Sequence, residues 1–204
     1  YLKFKNKLDG KSAIAYTYRE QRNYKQAAVT YRQALALDPE NPVRWKPLVA
    51  QALRDGKKID EAVAVYNELI TDDPKDPQAW RYQIGYTYHA AGRYKQAIAV
   101  YRQCGDKFPA NYWAMADCHY RLKQYKECIL LYGQIAAGSE GDAPRATWSK
   151  AVAYEQMKNE NLAVQTLRLL CKRYPRDSYA SRAHVHLKKK YNINITFGGA
   201  KKKD

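Results

Sequence analysis

Four histidines and four cysteines are the side chains best equipped for chemistry, and their spacing decides what kind. His89, His119, His184 and His186 would need a serine, cysteine or acidic partner at a recognisable catalytic spacing to act as acid, base or relay, and none has one. His184 and His186 lie two apart on an expected helix and so point to different faces, a poor geometry for sharing a metal. Cys104, Cys118, Cys128 and Cys171 form no CxxC pair and are too sparse for a disulfide framework. Cys104, Cys118, His119 and Cys128 come nearest to a ligand set. A zinc ion would require four inward-facing ligands at tetrahedral angles. Two readings stay open for the cysteines: small packing residues, or a disulfide among Cys104, Cys118 and Cys128 in an oxidising compartment. The expectation is a protein without catalytic residues, metal or cofactor.

Composition supports a folded, basic chain. Its 204 residues are 46% hydrophobic, and Lys plus Arg outnumber Asp plus Glu by 36 to 20, for a formal charge of +16. That balance favours acidic partners. The charge is unevenly spread: residues 42–76 carry 6 basic and 7 acidic side chains, whereas residues 144–204 carry 14 and 4. No apolar run approaches the roughly 20 residues that span a bilayer. The chain begins at Tyr1 rather than methionine, so a preceding signal peptide or domain, and with it the compartment, stays open.

What positions side chains in this sequence is a period. "NYKQAAVTYRQALALDP", residues 23–39, returns as "RYKQAIAVYRQCGDKFP", residues 93–109. Tyr24, Ala27, Tyr31 and Pro39 align with Ile59, Ala62, Tyr66 and Pro74, then with Tyr94, Ala97, Tyr101 and Pro109, at steps of 35 residues. A fourth copy carries Tyr125, Cys128 and Tyr132 after a step of 31, and a fifth Glu160, Ala163, Leu167 and Pro175. Upstream of each block lies a second helical pattern, as in "AWRYQIGYTYHAAGRY", which Gly92 ends. Each unit therefore reads as a helix hairpin. Small residues at Ala15, Ala50, Gly85, Ala116 and Ala151, and at Ala27, Ala62, Ala97, Cys128 and Ala163, let the paired helices approach closely.

This pattern resembles the tetratricopeptide repeat (TPR), which has a small residue at place 8, aromatics at 11 and 24, alanine at 20 and proline at 32. Tyr18, Tyr88 and Tyr154 fill place 11. Departures include Leu53 and His119 at that place, tryptophan one place early at Trp45 and Trp80, and a fourth copy ending in "AAGSEGDAP", where an irregular joint is expected. The resemblance implies an all-α fold, a right-handed superhelix of about five hairpins with a capping helix and an extended tail. The expected repeats lie near 8–41, 43–76, 78–109, 110–137 and 144–176, with a cap at 177–190, all in one domain over 1–190, and a basic tail at 191–204. The junction "YPRDSYASRAHVHL" is similar to repeats of bacterial envelope proteins, outer-membrane assembly lipoproteins and Tol-Pal coordinators among them, which implies a periplasmic or envelope setting.

In that family, places 5, 9 and 12 of each first helix line a concave groove, being spaced to share one face. Here those places and their neighbours offer a partner-binding set of Tyr16, Arg19, Arg54, Tyr82, Tyr86, His89, Trp113, Tyr120, Arg121 and Trp148. Contiguous exposed aromatics favour a contact surface, though some of these tyrosines can equally pack on one another. The family's lysine, asparagine and arginine clamp for a peptide's terminal carboxylate has no counterpart, since Ser12, Tyr16 and Leu48 hold the corresponding places. Arginines such as Arg54, Arg121 and Arg145 remain available for acidic side chains. In the tail, Ile193, Ile195 and Phe197 alternate with Asn192, Asn194 and Thr196 as in a strand; this arm either packs along the terminal helix or adds to a partner. The leading functional expectation is a non-enzymatic scaffold for a protein or peptide partner, the net charge favouring an acidic one. The alternative is a polyanion-binding module, for nucleic acid or an anionic envelope polymer, built on the basic C-terminal third.

Overall fold

The computed structural model describes residues 2–195, with side chains from residue 7 onward. Among these residues there are eleven α-helices and no strand: α1 (Leu2–Glu20), α2 (Tyr24–Leu37), α3 (Pro42–Asp55), α4 (Ile59–Asp72), α5 (Pro77–Ala90), α6 (Tyr94–Tyr101), α7 (Ala110–Arg121), α8 (Tyr125–Gly138), α9 (Ala143–Gln156), α10 (Glu160–Arg173) and α11 (Ser178–Tyr191). A 3₁₀ turn, Gly105–Lys107, follows α6. The helices form two compact units, Tyr1–Phe108 and Pro109–Asp204. In the first, each helix from α1 to α6 packs on its sequence neighbours; in the second, α7 to α10 do the same, and α11 closes over α9 and α10.

One turn geometry makes every hairpin. Fourteen residues into each copy the backbone enters the left-handed region, at Arg22, Lys57, Gly92, Lys123 and Lys158, with φ between 57° and 74°. The amide after each such residue reaches back to a carbonyl five residues earlier, as Asn23 N–H does to Tyr18 (2.7 Å) and Lys58 N–H to Leu53 (2.8 Å). This is the Schellman closure, which satisfies carbonyls that a helix end would leave bare. Glycine takes that conformation without strain, whereas a lysine or arginine there costs about 1–2 kcal/mol. A cation at a helix C-terminus recovers part of that cost against the helix dipole.

Packing follows from the small residues. Ala15, Ala50, Ala116 and Ala151, with Ala27, Ala62, Ala97, Cys128 and Ala163, are fully buried. At Gly85 a β-carbon would lie 2.6 Å from the Tyr101 ring, so the glycine is what admits that tyrosine. The cores are filled by Trp45, Val49, Tyr66 and Leu69 in the first unit, and by Tyr132 and Ile135 with Leu167, Leu170 and Leu187 in the second. All four cysteines are buried free thiols, and burial pushes Cys118 and Cys128 up to about 12, which suits packing rather than reactivity.

Tryptophan one place early has a purpose. Trp45 Nε1–H donates to Asp38 (2.9 Å) and Trp80 Nε1–H to Asp73 (3.0 Å), each tie joining the end of one hairpin to the start of the next. Trp113 makes its own version with Asp142 at 3.1 Å, and Ser139 Oγ–H also donates to Asp142 at 2.8 Å. The proline-free joint between α8 and α9 is thus held by a carboxylate. In the tail, Asn192 adopts the left-handed conformation and caps α11, and Ile193 N–H bonds the Leu187 carbonyl at 3.1 Å. Residues 192–195 form no strand; Ile193 and Ile195 pack on the core beneath α11. Phe197 and the lysines at 201–203 lie outside the described residues.

Candidate partner-binding face

The expected contact residues sit on the first helices of the hairpins: α1, α3 and α5 in one unit, α7 and α9 in the other. In the first unit Tyr16 on α1 is 58% exposed and Tyr86 on α5 46% exposed, two aromatics at the same place of their repeats. Between them Arg54 of α3 lies over the Tyr86 ring, 4.8 Å from its centroid, with its Nε 3.5 Å from Asp55. Arg19 of α1 reaches the same carboxylate, Nη2 to Oδ2 3.3 Å. Asp55 therefore serves two guanidiniums, and the buried Arg19 Nε and Tyr66 hydroxyl have no hydrogen-bond partner among the described residues.

Other candidates are partly committed to structure. Tyr82 is half-buried and tilts against Tyr101 at 5.2 Å, and His89 sits edge-on to Tyr94 and Tyr101. In the second unit Trp113 contacts Tyr132 at 5.5 Å, is tied to Asp142, and carries Arg145 over its face at 4.1 Å. Tyr120 stacks edge-on against Tyr125. Arg121 is exposed and pairs with Asp117 one turn earlier, at 3.6 Å.

Trp148 on α9 meets α11. Arg182 lies 5.0 Å over its ring, and His186 contacts it edge-on at 5.5 Å. Beside this cluster a single carboxylate oxygen, Glu155 Oε1, collects three donors: Tyr191 Oη–H at 2.7 Å, His186 Nε2 at 2.7 Å and Lys190 Nζ at 3.0 Å. Because the acceptor is a carboxylate, Nε2 is the protonated ring nitrogen. Burial opposes the charge on Glu155, but the bonds from Tyr191, His186 and Lys190 outweigh it and hold the acid below its ordinary range. Burial and the same bond push the Tyr191 phenol up.

Sequence reasoning treated α11 only as a cap and missed its contribution to the face. The signal was present: counted on from Pro175 at place 32, the next unit has Arg182, His186 and Lys189 at places 5, 9 and 12. Among the described residues no three His, Cys, Asp or Glu side chains cluster as metal ligands, and no helix is long and apolar enough to cross a membrane.

Antiparallel helix hairpins with buried small residues at two fixed places and one face of aromatic and basic groups define a helical-repeat scaffold. The chain carries tetratricopeptide repeats. Tetratricopeptide repeat models match residues 18–83 and 146–177, and the model described as anaphase-promoting complex, cyclosome, subunit 3 matches residues 55–135. Solved structures with the same fold include a tetratricopeptide repeat protein from Parabacteroides merdae ATCC 43184, 15% identical over 93% of this chain and 80% of that one, with a TM-score of 0.60. MamA protein is 16% identical over 93% of this chain and 97% of its own, TM-score 0.59. MamA from Desulfovibrio magneticus RS-1 is 14% identical over 84% and 98%, TM-score 0.58. These similarities establish the fold. No curated protein matches the sequence.

Proposed function

We propose that this protein is a non-enzymatic scaffold that holds a protein or peptide partner on the face formed by the first helices of its hairpins. The reading rests above all on Tyr16 and Tyr86, aromatic side chains at the same repeat place that stand 58% and 46% exposed, with Arg54 laid over one of the rings. Large aromatics left in water gain nothing from folding, whereas on a partner they supply contact area at small entropic cost, and a stacked guanidinium adds directional donors. Arg19, Tyr82 and His89 complete the proposed surface of the first unit, and Trp113, Tyr120, Arg121 and Trp148 form the proposed surface of the second, with Tyr82 and Trp113 each contributing from a partly packed position.

The test uses the exposed pair. Tyr16→Ala combined with Tyr86→Ala removes contact area without opening a core, so partner capture from the native source should fall at least tenfold while helical content and Tm stay within error. Capture at the wild-type level by the folded double variant would overturn the proposal. A Tyr82→Ala control should lose stability as well, because that ring packs on Tyr101.

A further inference from the structure

We propose that the α9–α11 surface is a binding site for an acidic peptide segment, with carboxylates on Arg182 and Lys189 and an apolar side chain between them. This deepens the scaffold reading and rests on it, but it concerns α11, a helix whose other side seals the core through Ala180, Ala183 and Leu187. A shallow depression of about 440 Å³ lies there, lined by Trp148, Ser181, Arg182, Val185, His186 and Lys189. On α11 these positions follow at i, i+3, i+4 and i+7 from Arg182 and share one face.

Three observations fix the chemistry. First, charge: α11 carries Arg182, Lys188, Lys189 and Lys190 and no acid. The nearby carboxylate, Glu155, is spent on Lys190, His186 and Tyr191. Arg182 and Lys189 have no ion pair among the described residues. Second, preorganisation: Arg182 lies over two rings, Trp148 at 5.0 Å and Tyr179 at 5.2 Å, which holds its guanidinium plane while leaving N–H edges to grip a carboxylate side-on. Third, apolar area: Val185 is 60% exposed in the middle of the cationic face, where a solvated cap would carry a polar residue.

Arg182 and Lys189 are seven residues apart, about 10 Å along the helix. An extended or polyproline-like peptide advances roughly 3 Å per residue, so acids three positions apart reach both cations, with an aliphatic residue between them above Val185. A nucleic acid fits less well. Strand-binding surfaces offer bare aromatic faces to bases, whereas the Trp148 ring is already covered by Arg182 and abutted by His186.

The experiment titrates the full chain with a fluorescein-labelled peptide repeating glutamate, leucine, alanine, glutamate, and in parallel with a glutamine-substituted peptide and a labelled single-stranded oligonucleotide of equal charge. The acidic peptide should bind, Arg182→Glu with Lys189→Glu should weaken it at least tenfold, and Val185→Ser should weaken it several-fold. Intact helical content and Tm in the variants would show that the cap still folds. Equal binding of the glutamine peptide, or no loss in the folded double variant, overturns the proposal. Tighter oligonucleotide binding with a steep fall in added salt overturns it in favour of a polyanion site. If partner capture depends on Tyr16 and Tyr86 while the acidic peptide fails to bind, the scaffold reading stands and this site alone is refuted.

Discussion

Asp55 and Glu155 occupy nearly the same point of their repeats, at the end of a first helix, and are put to opposite uses. Asp55 accepts from Arg19 of the preceding hairpin and lies beside Arg54 of its own helix, so it neutralises cations on the exposed face and leaves Tyr86 as the prominent feature. Glu155 is only 12% exposed and accepts from the helix that follows it, through His186, Lys190 and Tyr191. It pins the end of α11, and Arg182 and Lys189 have no ion pair among the described residues. One acid thus makes an aromatic surface with tempered charge, and the other makes a latch beside a surface with charge to spare. The direction in which the carboxylate reaches, back along the chain or forward, sets the chemical character of each unit's face.

Exchanging each acid for its amide tests that contrast. Glu155→Gln keeps the shape but leaves a lysine, a histidine and a phenol around a weak acceptor in a largely buried spot, and should cost about 2–3 kcal/mol. Denaturant unfolding followed by hydrogen exchange should place the loss in α11 and residues 192–195. Asp55→Asn disrupts partly exposed pairs and should cost less than about 1 kcal/mol. Equal losses from the two would mean that Glu155 is no more a latch than Asp55.

Acid should reveal the same asymmetry. The folded state holds Glu155 below its ordinary value of 4.5, so its contribution is complete above that pH and disappears as the pH falls through the lowered value. Protection of α11 amides should therefore drop in that acid window in the wild type, and Glu155→Gln should flatten this part of the profile. A wild-type profile identical to that of the variant would remove the charge from the explanation.

How far all this was readable beforehand depends on whether a feature repeats. The hairpins and the small buried places recur from copy to copy, because each copy meets the same neighbours in space, and Tyr16 and Tyr86 share one place two copies apart. The Trp45–Asp38 and Trp80–Asp73 ties also recur at 35 residues, in "LDPENPVRW" and "DDPKDPQAW", yet they look like departures from the family pattern until the hydrogen bonds are seen. Trp113 shows the limit of place-counting: it stands at place 5, two places later than Trp45 and Trp80 in their repeats, and bonds a carboxylate 29 residues after it, Asp142. Glu155 illustrates another limit. Its place, 12, predicts a groove-lining side chain, but the forward reach to α11 depends on His186 and Tyr191 in a helix that the repeat count treated as a lid.

The smallest expected effect concerns the turns, where both units share a geometry but differ in residue. Gly92 and Lys57 hold equivalent left-handed positions, φ 74° and 63°. Gly92→Ala adds a β-carbon that meets no atom within 4 Å, so its cost of about 1 kcal/mol would be conformational alone. Lys57→Gly relieves that same strain, but it frees the unfolded chain and removes a cation from the end of α3, so the net gain should stay within about 0.5 kcal/mol. Lys158→Gly in the second unit should match it, since the turn amides bond the same way, Lys58 N–H to Leu53 at 2.8 Å and Asn159 N–H to Tyr154 at 2.9 Å. If Lys57→Gly instead destabilised the protein by more than Gly92→Ala does, the lysine would be holding its turn through its side chain, and the strain argument for these positions would fall.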